Sequence, residues 1–593
     1  MKVFLIAIFT FTCLITSAQS PRVARTYYES GQYEKAIEVY KVLHQKHGYR
    51  SDYFKFLVSS YQQLEKYNTA QEVILAQLQK YPKQQQFNVE LGYNYALQNL
   101  AQKANLYYDL AVTAVEKDPN LGYAIGKSFQ DNNLLDYALK TYQTAMNLNP
   151  ELNFNLQIAL IYGEQGAINN MFDGFLKIVE RDKSYTLSIL KYVGNFITDD
   201  ANNENNILFK TLLIQRLQTN PDSSWNILLS WLFMQEKRYN KAFTQEKAIF
   251  KRKPDDLNRI ITLGKIAYNE SVFETSAQCF DFVLLNTQQI NLKITASLYL
   301  LKTEIATKDA PKELQQIDLK FKNLLLEYGF NKETLYIQSE HATFLTYKLN
   351  QPDKGIALIK RSLELNLDSH QKGLLKLSLA DIFVYSNQLN QALITYTQVK
   401  LNYKNSVIAQ QAAFKIAETS YYKSDFEWAQ TQLKVLKSET SQLISNDALK
   451  LSLLIANNIP TDKMNPLASY AKADLLAHQN KTSAAIDTLD IVLKKFKGYP
   501  IETYALFKQA QLYSDIKNYD KAIANYLTIL KINKEAILAD DACFNLAQLY
   551  QDKLSDDTKA ATYYEKIIFD YPASIYLVDA RKKFRQLRPE LIN

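Results

Sequence analysis

Few residues in this chain have the type and spacing for chemistry. The string GYAIGKS at 122–128 has the composition of a phosphate-cradling loop, which needs Gly-x-x-x-x-Gly-Lys-Ser/Thr between a strand and a helix. Its glycines, Gly122 and Gly126, stand one residue too close, and no strand-like run precedes them. Gly126 also belongs to a column of small residues set out below, so the string reads as helix packing. His44 and His47 are three apart and can share a helix face. Two imidazoles without a third ligand nearby make a poor zinc site, so they read as a polar helix end. His341, His370 and His478 each stand alone in the sequence. Acid–base work would then fall to carboxylates, and these are scattered. No serine-hydrolase elbow, metalloprotease helix or paired cysteine knuckle is present. The residues predict no active site, no metal and no cofactor; the chain is expected not to be an enzyme.

The elements that would position any such residues begin after residue 18. The start, MKVFLIAIFTFTCLITSAQS, has one lysine, an apolar run from Val3 to Ile15 and then small residues. Thr16 and Ala18 fit the small-residue rule for signal-peptidase cleavage, which predicts a leader at 1–18 and a mature chain from Gln19. The run is short for a bilayer span, and no later stretch approaches one. Cys13 lies within that run, preceded by Phe11 and Thr12, which is not a lipoprotein cleavage box. Without residues 1–18 the formal charge of +8 loses Lys2 and becomes +7, too mild to name a partner. Cys279 and Cys543 then remain, too few and too distant for a disulfide scaffold. Cys543, in DDACFNLAQLY, reads as a small buried residue on an apolar helix face.

The 593 residues exceed one compact core, and only 14 glycines and 13 prolines punctuate them, against a turn-rich sheet protein. Rows of thirty-four align Ala36, Ala70, Ala104 and Ala138 in one column. Four residues later come Tyr40, Ile74, Tyr108 and Tyr142; twelve before each alanine stand Ala24, Val58, Gly92 and Gly126. Three after those come Tyr27, Tyr61, Tyr95 and Phe129. Each row predicts two helices, with small residues where backbones approach and aromatic rings filling the space beside them. The columns blur after Tyr162, around the polar ITDDANNENN at 197–206, and residues 290–350 are helical by periodicity alone. The pattern returns at Ala392, Ala429, Ala485, Ala522 and Ala560 with steps of 37, 56, 37 and 38. The step of 56 predicts one additional helix over NDALKLSLLIANN (446–458), and the prolines of IPTDKMNP predict a hinge at 457–466.

These columns, and phrases such as SGQYEKAIEVY (30–40) and DYALKTYQTAMNLNP (136–150), resemble the tetratricopeptide-repeat family. The resemblance implies an all-α, superhelical solenoid of antiparallel helix pairs. The last three repeats, from Leu467, are similar in style to those of envelope members, including the outer-membrane assembly lipoprotein and cell-division coordinator families. Expected segments are a 19–183 array, an irregular 184–350 segment, a 351–456 array, the 457–466 hinge and a 467–593 array. The last ends in a basic helix with Arg581, Lys582, Lys583, Arg585 and Arg588. Ile575, Val578 and Phe584 are expected to face inward there, so that the helix caps the array, with anionic lipid or nucleic acid as the competing reading.

In the family, the first helices of successive repeats line a groove, and residues three before and one after the small position point into it. The resemblance therefore implies an aromatic row of Phe414, Tyr470, Phe507 and Phe544 beside a polar row of Glu418, Asp474, Gln511 and Gln548. Rings would bury apolar side chains of a peptide while polar groups bond its backbone; the competing reading packs the rings between repeats. Members that hold C-terminal carboxylates carry lysine and asparagine at the groove positions, unlike this chain. The expected function is a periplasmic or outer-membrane-associated scaffold for envelope proteins. It would have no nucleic-acid partner and no integral span, with peripheral contact to a membrane complex allowed. The alternative is a subunit of a polysaccharide-export or peptidoglycan machine.

Overall fold

The computed structural model describes residues 20–48, 50–254, 256–439, 442–459, 465–532 and 537–588. The expected leader at 1–18, with Cys13, lies outside them, as do positions 460–464 of the expected hinge. Among the described residues the chain forms 32 α-helices and no strand, and 79% of it is helical. The fold is an all-α helical-repeat solenoid. Packing divides it at Leu263/Gly264 into two compact units.

Within the first unit, hairpins such as Gly122–Asp131 with Leu135–Leu148 follow one another. Their turns share a chemical signature. The residue two before the second helix is left-handed at Gly31, Glu65, Asn99, Asn133, Gly166 and Lys237. In the turn at Asn133 the Leu134 amide donates to the Phe129 carbonyl (2.9 Å), and the Asn133 amide to that of Gln130 (3.0 Å). These two bonds satisfy carbonyls that the first helix would otherwise leave open at its C-terminus. In the second unit the same position is left-handed at Ser271, Asn350, Asn387, Ser424, Asn480, Lys517 and Ser555. The same turn recurs within the middle segment at Lys237, Ser271 and Asn350, where the sequence columns blur.

The small-residue columns sit at helix crossings. Ala36, Ala70, Ala104 and Ala138 are buried, as are Tyr40, Ile74, Tyr108 and Tyr142. A Cβ on Gly126 would lie 2.5 Å from the Tyr142 ring, and one on Gly92 equally close to Tyr108. Both units use the same helix-crossing position, with Ser276 and Gly355 standing in for alanine in the second.

Departures from the repeat have local causes. After Arg181 come only a 3-10 turn at Lys183–Thr186 and the one-turn helix Leu190–Val193 before Glu204. There Asn206 bonds both the amide and the carbonyl of Thr198, and Asp200 accepts from the Asn202 amide, so side chains take the place of helix partners. Helices Ile290–Thr307 and Pro311–Glu327 join without a left-handed residue. Proline opens the second, and Glu313 accepts from the Ala310 amide (3.2 Å). A helix spans Gln442–Asn458 where the step of 56 requires one.

Two expectations change. His341, alone in sequence, is buried against Asp318, with Nε2 2.7 Å from Oδ1 and its ring stacked on Phe321. In the last helix, Leu577–Leu587, the inward positions are Ala580, Phe584 and Leu587, at helical spacing. Ile575 precedes the helix and Val578 sits about half a turn from Ala580, so both face solvent rather than the core.

Candidate functional site: a polar groove on the second unit

Four first helices of the second unit, Val407–Tyr422, Pro466–His478, Ile501–Asp515 and Ala539–Asp552, carry the buried small residues Ala417, Ala473, Ala510 and Ala547. The next residue on each is the predicted polar row. Glu418, Asp474 and Gln511 line one open groove of about 630 Å³. Gln548 lines an adjoining hollow of about 180 Å³ that shares Ser514, Tyr526 and Asn545 with the groove. Helix Gln442–Asn458 does not separate the row, because Val407–Tyr422 packs directly on Pro466–His478.

The groove also contains residues that the two predicted rows omit. One turn beyond each polar residue stand Tyr422, His478, Asp515 and Asp552, and all four line the groove or the hollow. The signal for this third row was the i, i+4 rule applied to the second. Lys508 is a further contributor. Its Nζ sits 2.6 Å from Asp474 Oδ1, across two helices.

The aromatic row lies elsewhere. Tyr470 is buried, and Phe414 is partly buried against the same core. Phe507 meets Tyr526 edge-on at 5.6 Å, while Phe544 stacks on Tyr576 at 4.3 Å. None of the four rings lines the groove or the hollow. The two rows share a helix face, four residues apart, and at its edge the rings turn to neighbouring helices while the polar side chains reach the opening.

The groove lining holds three carboxylates, Glu418, Asp474 and Asp515, against one ammonium, Lys508. Behind it, Lys415 bonds Glu418 (2.8 Å), and Tyr396 donates to the carboxylate of Asp381. Burial raises the Asp381 and Asp515 carboxyls above the usual range. Burial also lowers His478, against the pull of Glu418, so its imidazole is held toward the neutral form. Burial opposes the charge on Lys415, yet Glu418 and Asp381 keep its pKa raised. The surface is one of fixed, mostly paired polar groups, suited to hydrogen bonding along an extended chain. Among the described residues no cluster of His, Cys, Asp or Glu could hold a metal ion, and no helix is long and apolar enough to cross a membrane.

Two models of the tetratricopeptide repeat family match residues 470–537 and 541–574, which include most of the groove. These residues carry tetratricopeptide repeats. The TPR repeat-containing protein MJ1428 of Methanocaldococcus jannaschii is 24% identical over 437 residues, covering 63% of this chain and 74% of its own. Among solved structures, the Naa15/Naa10 complex bound to HypK-THB aligns over 96% of this chain and 92% of its own, at 13% identity and a TM-score of 0.29. The Cut9–Hcn1 hetero-tetramer of the APC/C aligns over 97% and 98%, at 12% identity and a TM-score of 0.24.

Proposed function

We propose that this protein is a non-enzymatic scaffold of the bacterial cell envelope that holds extended segments of partner proteins in the second unit's groove. Repeats of this family imply protein partners, and the groove carries the reading to particular residues. Its walls come from successive first helices, and Glu418, Asp474, Gln511 and Gln548 offer hydrogen-bonding groups at repeat spacing. The withdrawal of Phe414, Tyr470, Phe507 and Phe544 into helix interfaces leaves only the part-buried Tyr422 and the buried Tyr526 as rings in the groove, which favours peptide over glycan, since sugars are held on open ring faces. The envelope placement rests on the leader-like residues 1–18.

Site-specific photo-crosslinking in cells tests the groove. A photoreactive residue at Gln511 or Gln548, both exposed, is expected to trap the same partner, while one at the exposed Ile491 of a second helix traps none. Adducts from Ile491 alone would sink the groove reading. The envelope reading predicts that the protein recovered from a periplasmic fraction begins at Gln19. Recovery in the cytoplasm with Met1 intact would overturn it.

A further inference from the structure

The C-terminal end of the second unit has a surface that the groove does not use. Of the five most exposed large hydrophobic side chains among the described residues, three fall within ten positions: Phe569 (73%), Ile575 (78%) and Val578 (74%). Pro572 and Ala573, between them, are exposed as well. Large apolar groups scattered singly over a surface are ordinary, but three of them across the end of helix Asp557–Asp570, the connection after it and the start of the last helix are not.

The same helix, Leu577–Leu587, turns Ala580, Phe584 and Leu587 to the core. Its opposite side carries Val578 with Arg581, Lys582 and Arg585, all exposed. From Phe569 to Arg588 there are five cations against two acids, Asp570 and Asp579. A cap whose outer face was only polar would need no bare aliphatic residues. A protein interface of useful size would ordinarily be apolar at its centre with charge confined to the rim. Here exposed cations and Val578 share the outer side of the last helix, with Ile575 two residues before it and Phe569 at the end of the helix preceding. That mixture fits the boundary layer of a bilayer, where apolar side chains enter among acyl chains and cations meet phosphate headgroups.

We propose that this exposed end of the unit, with Phe569, Ile575 and Val578 beside Arg581, Lys582 and Arg585, docks the protein reversibly on a membrane surface rich in anionic phospholipid. The apolar area is small, so neither component binds alone: charge gathers the protein at the surface and the three apolar side chains hold it there. Binding is therefore weakened by salt, because the cations are exposed and screened.

The test is flotation of the full chain from Gln19 with vesicles of phosphatidylglycerol and phosphatidylethanolamine, beside vesicles of phosphatidylcholine. The protein is expected to float with the anionic vesicles at about 0.1 M salt, and not at about 0.5 M or with phosphatidylcholine. An Arg581→Gln/Lys582→Gln/Arg585→Gln variant and a Phe569→Ser/Ile575→Ser/Val578→Ser variant are each expected to bind at least about tenfold less. All six positions are exposed, so both variants should keep their helicity, and circular dichroism checks this. Equal flotation of wild type and both variants would overturn the proposal, as would flotation that ignores lipid charge. Absence of flotation would overturn it too. Self-association abolished by the serine variant, without flotation, would assign the face to a second copy of the chain instead.

Discussion

Single residues decide where these helices approach. Gly126 lies against Tyr142, and a Cβ there would press into the ring at 2.5 Å. Gly126→Leu is therefore expected to destabilise the first unit by more than about 1–3 kcal/mol, the usual range for overpacking, read as a lower urea midpoint. Ionisable groups in the interior give two further residue-scale expectations. Burial pushes the Cys543 thiol up to about 12, so native protein at pH 8 should leave it unlabelled by iodoacetamide, and unfolded protein should not. Burial also lowers His341, outweighing its bond to Asp318. The unfolded chain then takes up a proton near pH 6.5 that the folded chain refuses, so this contribution is present above 6.5 and lost as pH falls below it. The urea midpoint of wild type should drop between pH 7.5 and 5.5, and that of His341→Gln should drop less.

At the scale of elements, the connection between paired helices is held by one left-handed residue, and the side chain there has no part in the apolar pattern. Glu65 has φ +57° in such a turn. A left-handed conformation disfavours side chains with a Cβ, most of all branched ones. Glu65→Gly is expected to be neutral or stabilising by up to about 1 kcal/mol, and Glu65→Val destabilising by about 1 kcal/mol, in thermal unfolding. The asparagines at 99, 133, 350, 387 and 480 suit this position, so the turn is partly legible from residue type alone. Lys237, Ser271 and Lys517 occupy it equally, and no propensity marks them. For those, the cooperative pull of the flanking helices decides the conformation.

Across the molecule, a repeat array buries its apolar faces only between neighbours, and perturbation should stay local. Tyr142→Ala is expected to destabilise by about 3–5 kcal/mol, in line with other buried aromatic truncations. Hydrogen exchange should then rise in Gln86–Glu164 and remain unchanged in Ile501–Asp570. A uniform rise across both units would show cooperation that nearest-neighbour packing does not supply.

The division between sequence and structure follows from how far each interaction reaches. Period, helix pairing and the small columns were legible, because they depend on residues three, four and about thirty-four apart along one chain. The extra helix at Gln442–Asn458 was legible as a step of 56 between alanines. The polar row Glu418, Asp474, Gln511 and Gln548 was placed by its offset from the small column. What the sequence did not decide was orientation where two faces of a helix are both plausibly apolar. Phe414, Tyr470, Phe507 and Phe544 went to helix interfaces, Ile575 and Val578 to solvent, and His341 to Asp318. Those outcomes depend on the angle at which neighbouring helices cross and on which side remains open. Only tertiary packing sets both, because local periodicity gives a stripe its spacing but not its partner.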